Sequence, residues 1–581
     1  MTTVAKMLVQ SLADHGVSAM WGVVGDALNP ITDALRHESR IRWMGVRHEE
    51  AGAFAAGAQA QLTGRIGVCM GTVGPGSIHL LNGLYDAKKS HVPVLAICGQ
   101  VPSSEIGSDY HQEVDNDAAF RDVSVFCRTV TDPAQLPYLL ELAVNAAYAR
   151  GGVAVLTLPG DVGDRDVPSG TREPRFVSQH PPVTPMAGAL DEVAQVLNGA
   201  STVTMLVGSG AREARDEVLS TAETLAAPVV LTLKGKESLE RDNPHQVGQT
   251  GLLGNPAAKH ALDHGDVLLM VGTDFPYRDW YPKGKTVIQI DADGERIGRR
   301  VHVDHALVGD SRATLAALRP LLNAKQDRSH LTAARERYTA WHKRQQHLAD
   351  PGYDSTVVGR VRKQFDNHER AIRPEVLAAA IDRHADNDAV FTSDTGMSTV
   401  WLARFVTLHG NRRLLGSYNL GSMASALPQA LGAAQLGNGR QTVAFCGDGG
   451  LTMLMGELLT VAAYELPVKI VVFDNSRLGM VKLEQEQAGI AEFGTKLKNP
   501  DLAAVARACG IHGVRVEHPD QVDAAVRDAL THPGPVLLDV VTSAEEIIVP
   551  PKTTPGQAWG FAIAKLQETL VSAHDEEVRR Q

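Results

Sequence analysis

Over the first 180 residues, short apolar runs alternate with Ala-rich helical stretches. Residues 18–24, 41–46, 66–70, 92–98 and 153–158 are apolar without alternation, the pattern of strands covered on both faces. Residues 50–62 carry a helical pattern between two of these runs, and residues 1–15 read as an amphipathic helix through Val4, Met7, Leu8 and Leu12. Strands alternating with helices predict a parallel, doubly wound sheet. The rhythm returns after the proline-rich break His180-Pro181-Pro182-Val183-Thr184-Pro185, with strands expected at 202–207, 229–231, 267–271 and 287–290. A third array begins at Pro374 and includes strands at 442–445 and 468–473. The expectation is an α/β chain of three doubly wound parallel-sheet domains, at 1–180, 186–325 and 374–541. A polar, partly helical linker at 326–373 and a short tail at 542–581 complete it.

Bulk properties narrow the function. A net charge of −11 and the lack of any basic tract exclude a nucleic-acid partner. No apolar run approaches the roughly 20 residues that span a bilayer, and the first residues lack the form of a signal peptide. The five cysteines are scattered, form no C-x-x-C pair and mostly lie in apolar runs, so they read as small core residues of a reducing compartment. The chain is expected to be cytoplasmic.

The sharpest local signal is Gly447-Asp448-Gly449, followed after 24 residues by Asp474-Asn475. Each group leaves the end of an apolar run, and residues 453–465 supply a helix long enough for a crossover. A right-handed βαβ unit then places Asp448 and Asn475 on one edge of the sheet, outside the carboxyl ends of its strands, where such sheets bind ligands. A carboxylate and an amide oxygen are hard donors that suit Mg²⁺ carrying phosphate oxygens. Gly447 and Gly449 are expected to let the backbone turn sharply, and a helix starting near Leu451 to add its dipole for a diphosphate.

This pair resembles the diphosphate-anchoring motif of thiamine-diphosphate enzymes, in which Asn stands where this chain has Asp474. The resemblance implies that Asp448, Asn475 and the main-chain carbonyl of Arg477 hold Mg²⁺. It further implies that Glu49, in Arg47-His48-Glu49-Glu50, is the catalytic glutamate that hydrogen-bonds the aminopyrimidine ring. Gly74, in Gly74-Pro75-Gly76, would lie beside the cofactor. The Gly421 carbonyl would accept from its amine, and Met423 would wedge between its two rings.

From about residue 5 to 560 the chain also resembles the bacterial pyruvate dehydrogenase (quinone), or pyruvate oxidase, family. Shared segments include Pro102-Ser103-Ser104-Glu105-Ile106-Gly107-Ser108 and Leu454-Met455-Gly456-Glu457. The resemblance assigns FAD to Thr250, Gly251, Leu252, Leu253, Thr273, Asp274, Phe275, Pro276, Tyr277 and Asp291. It assigns the substrate pocket to His111, Gln112, Thr395, Met480 and Glu484. Of these, His111, Thr395 and Met480 replace Phe, Val and Phe of the family, making the pocket more polar. The implied activity is oxidative decarboxylation of a small 2-oxo acid, foremost pyruvate to acetate and CO2, with electrons passed to a quinone or other acceptor. The alternative is a non-redox lyase or carboligase of the acetolactate-synthase type. The family implies a homo-oligomer, a tetramer in the relatives. The short, charged-ended tail implies at most weak peripheral contact with the inner face of a membrane.

Overall fold

A computed structural model describes residues 2–178, 181–355 and 372–544. Most of the expected C-terminal tail and part of the insertion near 353–369 lie outside the described residues. Eighteen strands form three six-stranded sheets, and every pairing within them is parallel.

The first sheet contains β1 (Ala19–Gly22), β2 (Arg42–Gly45), β3 (Gly67–Gly71), β4 (Val94–Gln100), β5 (Ser124–Thr129) and β6 (Val153–Pro159), in the order β2-β1-β3-β4-β6-β5. The middle sheet contains β7 (Val203–Val207), β8 (Val229–Leu231), β9 (Gln246–Gln249), β10 (Val267–Val271), β11 (Thr286–Asp291) and β12 (His305–Val308), in the order β12-β11-β10-β7-β8-β9. The third contains β13 (Val390–Ser393), β14 (Arg413–Gly416), β15 (Thr442–Gly447), β16 (Val468–Asp474), β17 (His512–Val516) and β18 (Val536–Val541), in the order β14-β13-β15-β16-β18-β17. Each sheet winds in opposite directions from a switch between β1 and β3, β7 and β10, or β13 and β15; in the first and third sheets the last strand also turns back, placing β6 inside β5 and β18 inside β17. The switch leaves a crevice at the carboxyl ends of the two flanking strands.

Seven strands were not among the expected runs: β5, β9, β12, β13, β14, β17 and β18. β5, β9 and β12 lie at sheet edges and mix exposed or polar positions with buried ones. The segment expected as a linker is also more than a connection. Its helix, Ser329–Leu348, buries Leu331 and Ala334, and His330 hydrogen-bonds Thr204 of β7 at 2.9 Å. It is part of the packing around the middle sheet. Among the described residues no helix is long and apolar enough to cross a membrane. Four of the five cysteines are buried and all are free thiols, as the core reading requires.

The first and third arrays share a core. Helix Glu49–Thr63 is built largely from Ala and Gly, is buried along most of its length, and crosses helix Ala426–Gln435. Small residues let the two backbones approach closely. A Cβ on Gly432 would stand 2.2 Å from the Ala55 carbonyl oxygen, so only glycine fits without separating the helices. The Glu457 carboxylate then pins the start of the first helix by accepting the Arg47 and His48 amides, each at 3.0 Å. Gly432→Ala is therefore expected to lower stability by about 1–3 kcal/mol, the usual cost of overpacking, read as a shift of the denaturation midpoint.

Candidate functional site

The register of the third sheet builds its site. Gly447 pairs with Phe473 across β15 and β16, so the next residues, Asp448 and Asp474, emerge side by side. A cavity of about 310 Å³ opens there. It is lined by Gly447, Asp448, Gly449, Asn475 and Arg477, together with Gly421, Met423, Thr395, Met480 and Glu484. The structure thus gathers every residue expected for the diphosphate, the metal and the third-array half of the substrate pocket.

The local backbone differs from the expectation in two respects. The helix after β15 starts at Asp448 itself, spans Asp448–Met453, and is separated from helix Glu457–Ala463 by an irregular turn. Asp448 can close directly onto the strand end because the crossover is split. Gly447 is extended, with φ −78° and ψ 151°, so the sharp turn expected there is absent. A Cβ on Gly447 would meet no atom within 4 Å and would instead occupy cavity space. The need for glycine is steric and falls on Gly450, whose Cβ would stand 2.3 Å from Asp394 Oδ2.

Asp394 was not singled out by its sequence context. It follows β13, is buried, and accepts the Ala426 amide at 2.8 Å and the Gly447 amide at 3.1 Å. Burial pushes its carboxyl up to about 7. It braces Gly447 across the crevice between β13 and β15. Asp448 is buried as well, and burial, reinforced by neighbouring Asp474, pushes it up to about 7. Asn475 Oδ1 accepts the Arg477 amide at 3.0 Å, which fixes the side chain at the cavity edge. A buried carboxylate, an oriented amide oxygen and a cavity that a Gly447 side chain would fill suit a divalent cation with a diphosphate.

Glu49 lies elsewhere. It is the first residue of its helix, is 7% exposed, and does not line the cavity, all of whose walls come from residues 394–544. His79 Nδ1 sits 2.9 Å from Glu49 Oε2, and the His48 ring stacks on His79 with centroids 4.4 Å apart. His79 gave no sequence signal, since only the turn of the Gly74-Pro75-Gly76 segment brings it back to Glu49. Gly76 lies against Glu49, and Gly74 lies against Gln112, whose carbonyl oxygen would be 2.8 Å from a Gly74 Cβ. Gln112 therefore joins the Glu49 half, with His111 exposed beside it. The expected site residues fall into two groups, one on each array.

A second cavity, of about 1280 Å³, lies at the crevice of the middle sheet and is walled by all three arrays. All ten residues assigned to FAD line it: Thr250, Gly251, Leu252, Leu253, Thr273, Asp274, Phe275, Pro276, Tyr277 and Asp291. Arg212, Arg296 and Arg299 add positive charge suited to a diphosphate. Thr250 Oγ1 is buried without a partner, and burial raises the Asp291 carboxyl above its ordinary range. Thr395, Gly396 and Met480 belong to both cavities, which therefore adjoin.

Models of thiamine pyrophosphate enzymes match three stretches of the chain: the N-terminal TPP binding domain at 2–119, the central domain at 190–318 and the C-terminal TPP binding domain at 394–540. YdaP of Bacillus subtilis (strain 168), provisionally named as a thiamine pyrophosphate-containing protein, is 38% identical over 96% of this chain and 95% of its own. The pyruvate oxidase of Lactiplantibacillus plantarum is 31% identical over 93% of this chain and 88% of its own. The acetolactate synthase isozyme 2 large subunit of Escherichia coli (strain K12) is 33% identical over 94% and 97%.

The raised Asp448 carboxyl makes a pH prediction. A cation binds the ionised form, so protons compete with it below about pH 7. The Mg²⁺ concentration that half-saturates thiamine diphosphate binding should be nearly flat above pH 7.5 and rise roughly tenfold per pH unit below 6.5, with proton uptake into buffer on binding. Calorimetry in buffers of different ionisation enthalpy measures both. A flat profile down to pH 5.5 would remove Asp448 as the group in competition.

Proposed function

Because the chain belongs to the thiamine pyrophosphate enzymes, we propose that it decarboxylates a small 2-oxo acid, pyruvate first, and passes the electrons through FAD to a quinone or other acceptor. The carrying observation is that Thr395, Gly396 and Met480 wall both cavities, so the two adjoin there. A flavin seated along the ten assigned residues would reach the place where the substrate reacts. Thiamine diphosphate supplies the electron sink for decarboxylation, and FAD supplies a two-electron acceptor.

The chain's own groups position and exclude. Asp448, Asn475 and the Arg477 carbonyl would hold Mg²⁺ against the diphosphate, with Gly447 leaving room for it. Met423 and the Gly421 carbonyl would set the cofactor's bend and its amine. Glu49 would hydrogen-bond the aminopyrimidine ring and exchange a proton with it, with His79 orienting the carboxylate. Thr395, Met480 and Glu484 would enclose the substrate from one side, and His111 and Gln112 from the other.

The Asp448 cavity has no wall from the first array, whereas one cofactor needs both Glu49 and Asp448. A second copy of the chain supplies the missing wall, with the first array of one subunit facing the third array of its partner. The proposed enzyme is a homo-oligomer, a tetramer as the resemblance implies, in the cytoplasm and with at most weak peripheral membrane contact. A second reading, carboligation of the acetolactate-synthase type, draws on the comparable identity to acetolactate synthase.

Anaerobic addition of pyruvate to the FAD-loaded protein distinguishes the two. Loss of the visible flavin band is the expected result. An acyloin-type product with the flavin still oxidised would support carboligation instead. Glu49→Gln should lower turnover by roughly 10² or more, the scale of a positioned acid–base group, while keeping most cofactor affinity. Mixing Glu49→Gln with Asp448→Ala subunits should restore activity, since one hybrid site carries neither change. Demonstrably mixed oligomers without recovery would refute the shared site.

A further inference from the structure

Asp448 and Asp474 are 2% and 4% exposed and stand at the carboxyl ends of adjacent strands, yet only Asp448 lines the cavity. Two carboxylates this close repel unless a donor separates them. That donor is Asn499, which lines no part of the cavity. Its Nδ2 donates to Asp448 Oδ2 at 2.6 Å and to Asp474 Oδ1 at 3.0 Å. An amide nitrogen carries two hydrogens, so both are used. Turning the amide over would face its carbonyl oxygen to two anions, so the orientation has one electrostatically acceptable choice.

Asp474 is held by further groups at both of its oxygens. Its Oδ1 accepts the Ser476 amide at 3.1 Å and hydroxyl at 3.2 Å. Its Oδ2 lies 3.6 Å from Arg515 Nη1, which donates to fully buried Asp539 at 2.5 Å. Arg515 thus holds Asp474 Oδ2, and Asn499 is the amide donor that joins Asp474 to Asp448.

We propose that Asn499 is a positioning residue for the cation site: by holding Asp448 Oδ2 it fixes the carboxylate's rotamer and leaves Oδ1 for the metal, with Asp474 and Arg515 fixing the direction of the amide. The inference rests on the reading of Asp448 as a ligand of a divalent cation. Groups that orient a ligand from behind usually change metal affinity about 10- to 100-fold when removed.

The test titrates thiamine diphosphate into the full-length apoprotein by calorimetry at a series of Mg²⁺ concentrations, with thermal unfolding of the apoprotein measured alongside. Asn499→Leu, similar in size but unable to donate, should raise the half-saturating Mg²⁺ concentration about 10- to 100-fold. Saturating Mg²⁺ should then restore cofactor binding, which a collapsed site would not allow. Asn499→Asp adds a third carboxylate and should raise the requirement further. Adding Asp474→Asn to it returns one donor to the cluster and should recover at least tenfold of that loss. An unchanged Mg²⁺ requirement in folded Asn499→Leu, with Asp448→Ala unable to bind cofactor, would overturn the role of Asn499 alone. Normal cofactor binding by Asp448→Ala would overturn the underlying cation reading. Failure of the second substitution to recover any of the Asn499→Asp loss would overturn the pairing with Asp474.

Discussion

Burying Asp448 and Asp474 next to each other costs free energy that must be offset where they stand. A buried carboxylate loses several kcal/mol of hydration, and a neighbour of like charge adds to that cost. The hydrogen bonds from Asn499 and the charge of Arg515 offset part of it, at about 1.5–3 kcal/mol for each bond to a charged group. What stays uncompensated is on the cavity side, where Asp448 has a raised proton affinity and an open space in front of it. That imbalance leaves a buried carboxyl of raised proton affinity facing an open cavity, the kind of group a divalent cation in the proposed site would relieve.

The other features of this edge keep that charge in place. Asp394 ties Gly447 to the neighbouring strand, and Gly450 gives the Asp394 carboxylate room. The short helix beginning at Asp448 holds the side chain at the strand end. Each of these groups lies where the strand order switches between β13 and β15 in the third sheet. The middle sheet uses its own switch similarly, with the loops after β7 and β10 lining the larger cavity. One topological rule thus places two ligand crevices in one chain, and the packing of the arrays makes them adjoin.

The rigid contact between the first and third arrays has a further consequence. Helices of Ala and Gly bring the backbones together, and Glu457 locks the segment that carries Glu49. This holds Glu49 and His79 firmly, but outside the Asp448 cavity of the same chain.

Much of this was legible in the residues themselves. Apolar runs and their spacing marked the interior strands except β13 and β18, because those strands are covered on both faces and tolerate few polar residues. The edge strands β5, β9, β12, β14 and β17 were not legible, because one side of each is free of that constraint. Gly447-Asp448-Gly449 and Asp474-Asn475 could be placed on one edge because a right-handed crossover leaves little choice. The tertiary structure alone decided which neighbours tune them. Asp394, Asn499, Arg515 and Asp539 reach Asp448 and Asp474 from separate strands and loops, and His79 reaches Glu49 across a turn. Such contacts depend on register, strand order and side-chain direction, which arise only when the sheets assemble. The sequence by itself determined the fold class, the strand ends and the chemistry of the donors; the assembled sheets decided which carboxylate faces the cavity and which faces an arginine.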